Sequence, residues 1–192
     1  MEIKPILFNT EMVRAILDGR KTCTRRLPRK QIEEKYLEYE EWVCAVAPPG
    51  STWLREKEFY EKYPPYKPGD ILYVRETFIQ VSAHTFWYKA DGKSWMLKDL
   101  RWKPSIHMPK EAARIWLKVT DVRVERLQDM TDDDAEAEGC FDYSSTALGF
   151  FDVWDSTIKK SDRDRYGWDA NPWVWVIEFE RCEKPQEASN DN

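Results

Sequence analysis

Histidine is nearly missing from this chain: 192 residues hold two, His84 and His107. Cysteine is scarce too, and Cys23, Cys44, Cys140 and Cys182 lie far apart with no CxxC pair. Together these shortages argue against a disulfide framework and a structural zinc site, and the chain is expected to need no metal and no cofactor. No apolar run approaches the roughly 20 residues that span a bilayer, and the N-terminus lacks the basic-then-apolar order of a secretory signal. A cytoplasmic protein with no membrane partner is expected. An excess of positive charge is also missing, since 30 Lys and Arg stand against 35 Asp and Glu, a formal net charge of -5. Wholesale basic coating of a nucleic acid is therefore excluded. There is no repeat of solenoid period and no low-complexity tract before the polar tail.

Apolar residues make up 42% of the chain, enough for a real core, and the length fits one domain carrying an insertion. Aromatics are abundant, with ten Trp, nine Tyr and eight Phe, and some are expected to line a pocket. Strands are predicted near 3–8, 22–27, 71–79, 113–127 and 173–181, with a hairpin of strands near 85–89 and 94–97 around Asp91-Gly92. The apolar alternation of 113–127 changes face near Thr120 and Asp121. A helix follows Asn9 or Thr10 and ends at Gly19. A second starts at Thr131 with Asp134 as a capping box and ends at Gly139, and a third covers 146–159. Residues 31–66 change composition and read as an inserted excursion, with a weak helix near 31–41, and 183–192 read as a disordered tail. These elements make an α+β protein: a small mixed β-barrel with short flanking helices and one insertion, a single domain over 1–182.

Three places could carry chemistry. Between Arg14 and Lys30 seven cations (Arg14, Arg20, Lys21, Arg25, Arg26, Arg29 and Lys30) meet one acid, Asp18, a local charge of +6 in an acidic chain. That segment either binds an anion such as a phosphate or nucleotide, or is a solvated face paired with the Glu-rich stretch after it. Lys21 can cooperate with Thr24 only if it precedes the strand, and neighbouring Arg20, Arg25 and Arg26 would then favour its neutral amine. Glu76 alternates with Leu72, Val74 and Phe78, so it needs a partner. It reads as a buried ion pair, with Arg20, Lys21, Arg25 or Arg26 expected as the cation, or as a pocket carboxylate. His107, Trp168 and Asn171 are further candidates for ligand contact, each with a structural alternative. Glu138 ends the acidic run DDDAEAE and by spacing alone is one more exposed acid.

The string AILDGRKTCTRR (Ala15–Arg26), with Pro68-Gly69-Asp70, Val74-Arg75-Glu76, LQDMTDDDAEAEG and NPWVWVIEF, resembles the signature of ASCH-domain proteins, especially the larger phage and prophage members. The resemblance implies a PUA-like mixed barrel with a nucleic-acid or nucleobase cleft. One branch, the small bacterial N4-acetylcytidine amidohydrolases, deacylates modified cytidine with a lysine, a threonine and a glutamate. By that resemblance Thr24 is the nucleophile, Lys21 the base and Glu138 the acid. Arg20, Arg25, Arg26, Glu76, His107, Trp168 and Asn171, read from their own chemistry, are expected to contact substrate. The expected partner is a modified nucleoside or nucleic acid, RNA ahead of DNA. The alternatives are a non-catalytic RNA, DNA or modified-base binding module, as in other PUA-like relatives, and a phage accessory protein that acts by protein interaction. This chain is longer than the amidohydrolase branch by the 31–66 excursion, the hairpin after Phe78 and the helix after Gly139.

Overall fold

A computed structural model of the chain describes residues 1–28, 42–46, 51–92, 101–140 and 147–186. Its strands are β1 (Ile3–Leu7), β2 (Cys23–Arg26), β3 (Trp42–Val46), β4 (Ser51–Arg55), β5 (Ile71–Arg75), β6 (Phe78–Ser82), β7 (Thr85–Tyr88), β8 (Trp116–Arg126) and β9 (Trp173–Cys182). Its helices are α1 (Thr10–Leu17), α2 (Glu56–Lys62), α3 (Asp132–Ala137), α4 (Ala147–Thr157) and α5 (Arg163–Tyr166). The main sheet is mixed, in the order β1-β5-β8-β9-β2, with β1 and β5 parallel and the pairs β5-β8 and β2-β9 antiparallel. The five strands expected to build the barrel are the five strands of this sheet, and the α+β class holds.

The chain divides into two compact units. One comprises Met1–Arg20, Pro68–Thr120 and Phe179–Asn192, the other Lys21–Lys67 and Asp121–Glu178. Strands β8 and β9 run from one unit into the other. The boundary on β8 falls between Thr120 and Asp121, where the apolar alternation changes face: Leu117 and Val119 are buried before it, Val124 after it.

In the first unit Asn9 caps α1 by accepting from the Met12 N–H at 2.8 Å, and Gly19 takes the left-handed conformation (φ 76°) that ends it. The core gathers Ile71, Phe78, Met108, Ala112 and Trp116. Here the strand expected over 71–79 is split, β5 ending at Arg75 and β6 starting at Phe78. The hairpin also differs from expectation: β6 pairs with β7 across Ala83-His84, and Lys89–Asp91 form a 3-10 turn. Arg114 holds the Asp91 carboxylate at 2.7 Å, while Arg14 donates to the carbonyls of Ala90 and Gly92, so this stretch is pinned by side-chain bonds. The strand expected at 94–97 lies outside the described residues.

In the second unit α4 presents Phe150 and Trp154, and Ile158 just beyond its end continues the stripe, to Leu127, Val174 and Val176. Each such burial contributes roughly 1.5–3 kcal/mol. Val174, Trp175, Val176 and Ile177 are all buried, as befits a strand flanked by β8 and β2. From the 31–66 excursion, β3 and β4 pair as a separate hairpin, and α2 packs on β9. Trp175 donates its indole N–H to the Tyr60 carbonyl at 3.0 Å, and the two rings meet edge to face. The helix expected at 31–41 and the tail from 187 lie outside the described residues.

Candidate functional site

The second unit contains an uncommon object, a lysine and a glutamate buried together. Lys21 sits just ahead of β2, and Glu138 is the C-cap of α3. The helix is fixed at both ends. At its start Thr131 accepts from the Asp134 N–H at 3.2 Å and Asp134 accepts from the Thr131 N–H at 3.0 Å, the expected capping box. At its end Gly139 (φ 83°) lets the chain turn away while the Cys140 N–H returns to the Ala135 carbonyl. The Thr22 N–H donates to the Ala137 carbonyl at 2.8 Å and ties this terminus to the approach of β2.

Lys21 Nζ donates to the Glu138 backbone carbonyl at 2.7 Å and to Glu138 Oε2 at 2.6 Å. A cation is well placed there, because the last carbonyls of a helix carry partial negative charge. Glu138 Oε1 accepts from the Arg25 backbone N–H at 2.6 Å, with Arg25 Nη1 at 3.6 Å. The Lys21 side chain is 0% exposed and that of Glu138 2%, so no solvent screens the pair.

Arg25 is the hub of the surrounding charges. Its Nη2 lies 3.3 Å from Asp134 and 3.6 Å from Glu125, yet Nε and Nη2 are buried with no hydrogen-bond partner among the described residues. Burial would raise the Asp134 carboxyl, but the Thr131 hydrogen bonds and the Arg25 charge outweigh it and hold this group below the usual range. The Cys23 thiol is pushed up to about 12 by burial and by the neighbouring Glu138, against the pull of Lys21 and Arg25. Burial, then Glu138, raises Cys140 as well. Neither thiol is poised as a nucleophile.

Thr24 is 2% exposed and stands opposite Ile177 in the β2-β9 ladder, on the other face of the strand from Arg25. Among the described residues no hydrogen bond reaches its hydroxyl. Arg26 shares the face of Thr24 and is half-buried. Desolvation draws its guanidinium below the ordinary value, against Glu138 and Tyr66.

The remaining candidates have other occupations. Arg20 pairs with Asp18 at 2.8 Å. Glu76 is buried, 1% exposed, as its alternation required, but its cation is Arg114 and not Arg20, Lys21, Arg25 or Arg26. Arg114 Nε and Nη2 grip the two carboxylate oxygens at 2.9 and 3.1 Å, a fork that a lysine cannot make. Arg25 is committed to Glu138, Asp134 and Glu125, and Lys21 to Glu138, which leaves Glu76 to Arg114. His107 is exposed on a 3-10 turn of the first unit. Asn171, left-handed at φ 44°, accepts from the Gln128 N–H at 2.8 Å through its amide oxygen, and Trp168 accepts from the Gln128 side chain through its carbonyl. Those bonds fasten the turn before β9.

Arg114, Asp134 and Glu125 were not singled out as site residues from sequence. Arg114 does leave a trace, as the lone cation in the apolar run Ala112–Leu117. Among the described residues no cluster of three or more His, Cys, Asp or Glu is arranged to hold a metal ion, and no helix is long and apolar enough to cross a membrane.

No family model and no curated protein matches the chain. Solved structures do. The ASCH domain from Lactobacillus crispatus JV V101 superposes with a TM-score of 0.50 at 11% identity, covering 94% of this chain and 79% of that one. A hypothetical protein, PH0355, gives a TM-score of 0.44 at 16% identity over 95% of this chain and 100% of its own. The chain therefore has an ASCH-domain fold.

Proposed function

We propose that the protein is a hydrolase that removes an acyl group from a modified nucleobase or nucleoside, an N4-acylcytidine-like amide, with Thr24 as nucleophile. The observation that carries this reading is the 2.6 Å hydrogen bond between the buried Lys21 amine and the Glu138 carboxylate, three positions from a threonine whose hydroxyl has no partner among the described residues. One proton moving along that bond converts an ion pair into a free amine and a carboxylic acid, which are the base and the acid the reaction needs.

In the forward step the Thr24 oxygen forms a bond to the acyl carbon as its proton passes to the Lys21 amine. Collapse breaks the C–N bond, and the Glu138 proton goes to the leaving nitrogen. Lysine and glutamate are then again an ion pair. Water attacks the threonine ester, releases the carboxylic acid and restores the hydroxyl. Incubation with N4-acetylcytidine tests the scheme: the wild type should release acetate, Thr24→Ser should keep part of the rate, and Thr24→Ala should lose it with its circular dichroism unchanged. Wild-type turnover by Thr24→Ala would end the proposal.

The second reading is a non-catalytic module that binds RNA, DNA or a modified base, RNA ahead of DNA. It is favoured by the complete engagement of Glu138, whose two oxygens both accept N–H donors from cationic residues. Binding of acetylcytidine without acetate release would support it. The phage-type assignment belongs with either reading and rests on the motif resemblance alone.

A further inference from the structure

The edges of the main sheet are stopped. On one side β1 carries Pro5, which has no N–H to donate, and on the other the outward Arg25 N–H of β2 is taken by Glu138. In the β6-β7 hairpin of the first unit, the outward N–H and carbonyl of Phe78 on β6 are taken by Lys103 at 3.2 and 2.8 Å. The edge of β7 is different. The Lys89 N–H donates to the Thr77 carbonyl at 2.9 Å, so by antiparallel alternation Trp87 bonds to Ile79, while Phe86 and Tyr88 turn their N–H groups and the Phe86 carbonyl away from β6. Among the described residues no strand and no backbone bond meets these three groups. The Tyr88 carbonyl opens the 3-10 turn Lys89–Asp91 and keeps a second lone pair.

Nothing on β7 blunts this edge. Residues 77–88, TFIQVSAHTFWY, contain no Asp, Glu, Lys, Arg or Pro, in a chain where 34% of residues are charged. Phe86 and Tyr88 pack against the core of the unit, while Trp87 and Val81 on the outer face are 54% and 50% exposed, with Trp87 directly opposite Ile79. Absence of charge also selects what the edge accepts. An acidic or basic strand finds no counter-charge along Thr85–Tyr88. A neutral aromatic strand pairs there without stranding a charge, and the chain carries one in β7 itself.

We infer that β7 pairs with β7 of a second copy, antiparallel about a two-fold axis at Trp87, and makes the protein a dimer. That register sets Phe86 opposite Tyr88 of the second copy and Trp87 opposite its own counterpart. Each Tyr88 N–H donates to the Phe86 carbonyl across the axis, and each Phe86 N–H meets the remaining lone pair of a Tyr88 carbonyl. Trp87 falls at the non-hydrogen-bonded position, where side chains approach most closely, so the row of Ile79 and Trp87 runs on through the second Trp87 and Ile79. Thr85 faces Lys89, and no like charges meet. An edge of four residues covers less than the roughly 1,200 Å² of a standard interface, which makes the dimer a reversible one. This surface does not depend on the deacylase reading.

Sedimentation equilibrium of the full chain over a concentration series, with amide hydrogen exchange read at its two ends, tests the inference. The wild type should pass from monomer to dimer, and the Phe86 and Tyr88 amides should gain protection as it does. Trp87→Ala should weaken self-association roughly 10- to 100-fold, and Trp87→Phe should keep most of it. Trp87→Lys sets like charges opposite one another and should leave a monomer with unchanged circular dichroism. A monomer at every concentration, a dimer that Trp87→Lys leaves intact, or protection that rises elsewhere while Phe86 and Tyr88 stay unprotected would overturn the inference. So would a wild-type monomer that binds an unrelated uncharged aromatic peptide at this edge, which would give it to a different partner. Thr24→Ala should dimerise like the wild type and Trp87→Lys should keep deacylation of the free nucleoside, so either property can fail without the other.

Discussion

Two glutamates lie almost equally deep in this protein, Glu76 in the first unit at 1% exposure and Glu138 in the second at 4%, and each meets a cation. The cations differ. Glu76 is held by the planar fork of Arg114, which also binds Asp91 and lies over the Tyr88 ring at 4.0 Å. Arginine does not give up its proton in proteins, so this arrangement can only hold. Glu138 faces the amine of Lys21, a group that can lose a proton, and its other oxygen reads the backbone of β2. Equal burial thus produces a bidentate arginine clamp in one unit and a lysine–glutamate hydrogen bond in the other. The distinction rests on which cation the strand supplies.

Exchanging the cations is the most direct way to break the comparison. Lys21→Arg keeps a positive charge against Glu138 but removes the transferable proton, and the deacylation rate should fall by about 10²- to 10⁴-fold in a steady-state assay. Arginine with unchanged turnover at this position would erase the difference drawn between the two pairs. The next effect is on stability. Glu76→Ala leaves the Arg114 guanidinium with Asp91 as its remaining carboxylate, and urea unfolding should show a loss of about 2–3 kcal/mol. Arg114→Lys keeps the charge and loses the fork. It should cost about 1–2 kcal/mol in the same measurement and leave turnover intact.

Acid response sharpens the comparison further. Burial raises the Glu76 carboxyl above its ordinary value despite Arg114, whereas Asp134 beside Arg25 is held below its own. A depressed folded value means the native state keeps Asp134 ionised after the unfolded chain has taken up a proton. Its contribution is therefore full above about pH 4 and is lost as pH falls further. Glu76 has the opposite sign: its contribution is greatest below the ordinary glutamate value and declines as pH rises through the raised one. Unfolding midpoints between pH 2.5 and 6 should show a shallower acid loss in Asp134→Asn and a steeper one in Glu76→Gln than in the wild type. The smallest effect is expected for Thr131→Ala, about 1 kcal/mol for a lost helix cap.

Much of this was legible in the sequence because local rules decide it. The caps at Asn9 and Thr131, the stops at Gly19 and Gly139 and the five main strands follow from side-chain hydrogen bonding, φ freedom and alternation within a few residues. The burial of Glu76 was legible for the same reason. Its partner was not, because Arg114 is 38 positions away and nothing in periodicity says which cation closes a pair at that range. The contact of Lys21 with Glu138 came from a family resemblance, since spacing alone made Glu138 an exposed acid. The strand near 85–89 was legible as β7, but its pairing with β6 across Ala83-His84 was not, because that dipeptide carries no strong turn signal.

The stitching of the α3 terminus to β2 also bears on how the chain reaches its fold. Lys21 and Glu138 are 117 positions apart, and closing a loop of that length costs about 4 kcal/mol of chain entropy before any bond is made. The bonds at Thr22, Lys21 and Arg25 can repay this only when β2 is already laid on β9 and α3 already capped. A contact of such long range forms late and slows the search for the native state. A chain interrupted anywhere between residues 25 and 131 would carry the lysine and threonine of the pair as an exposed, unassembled strand. Closure of the Lys21–Glu138 contact and completion of folding are thus one event.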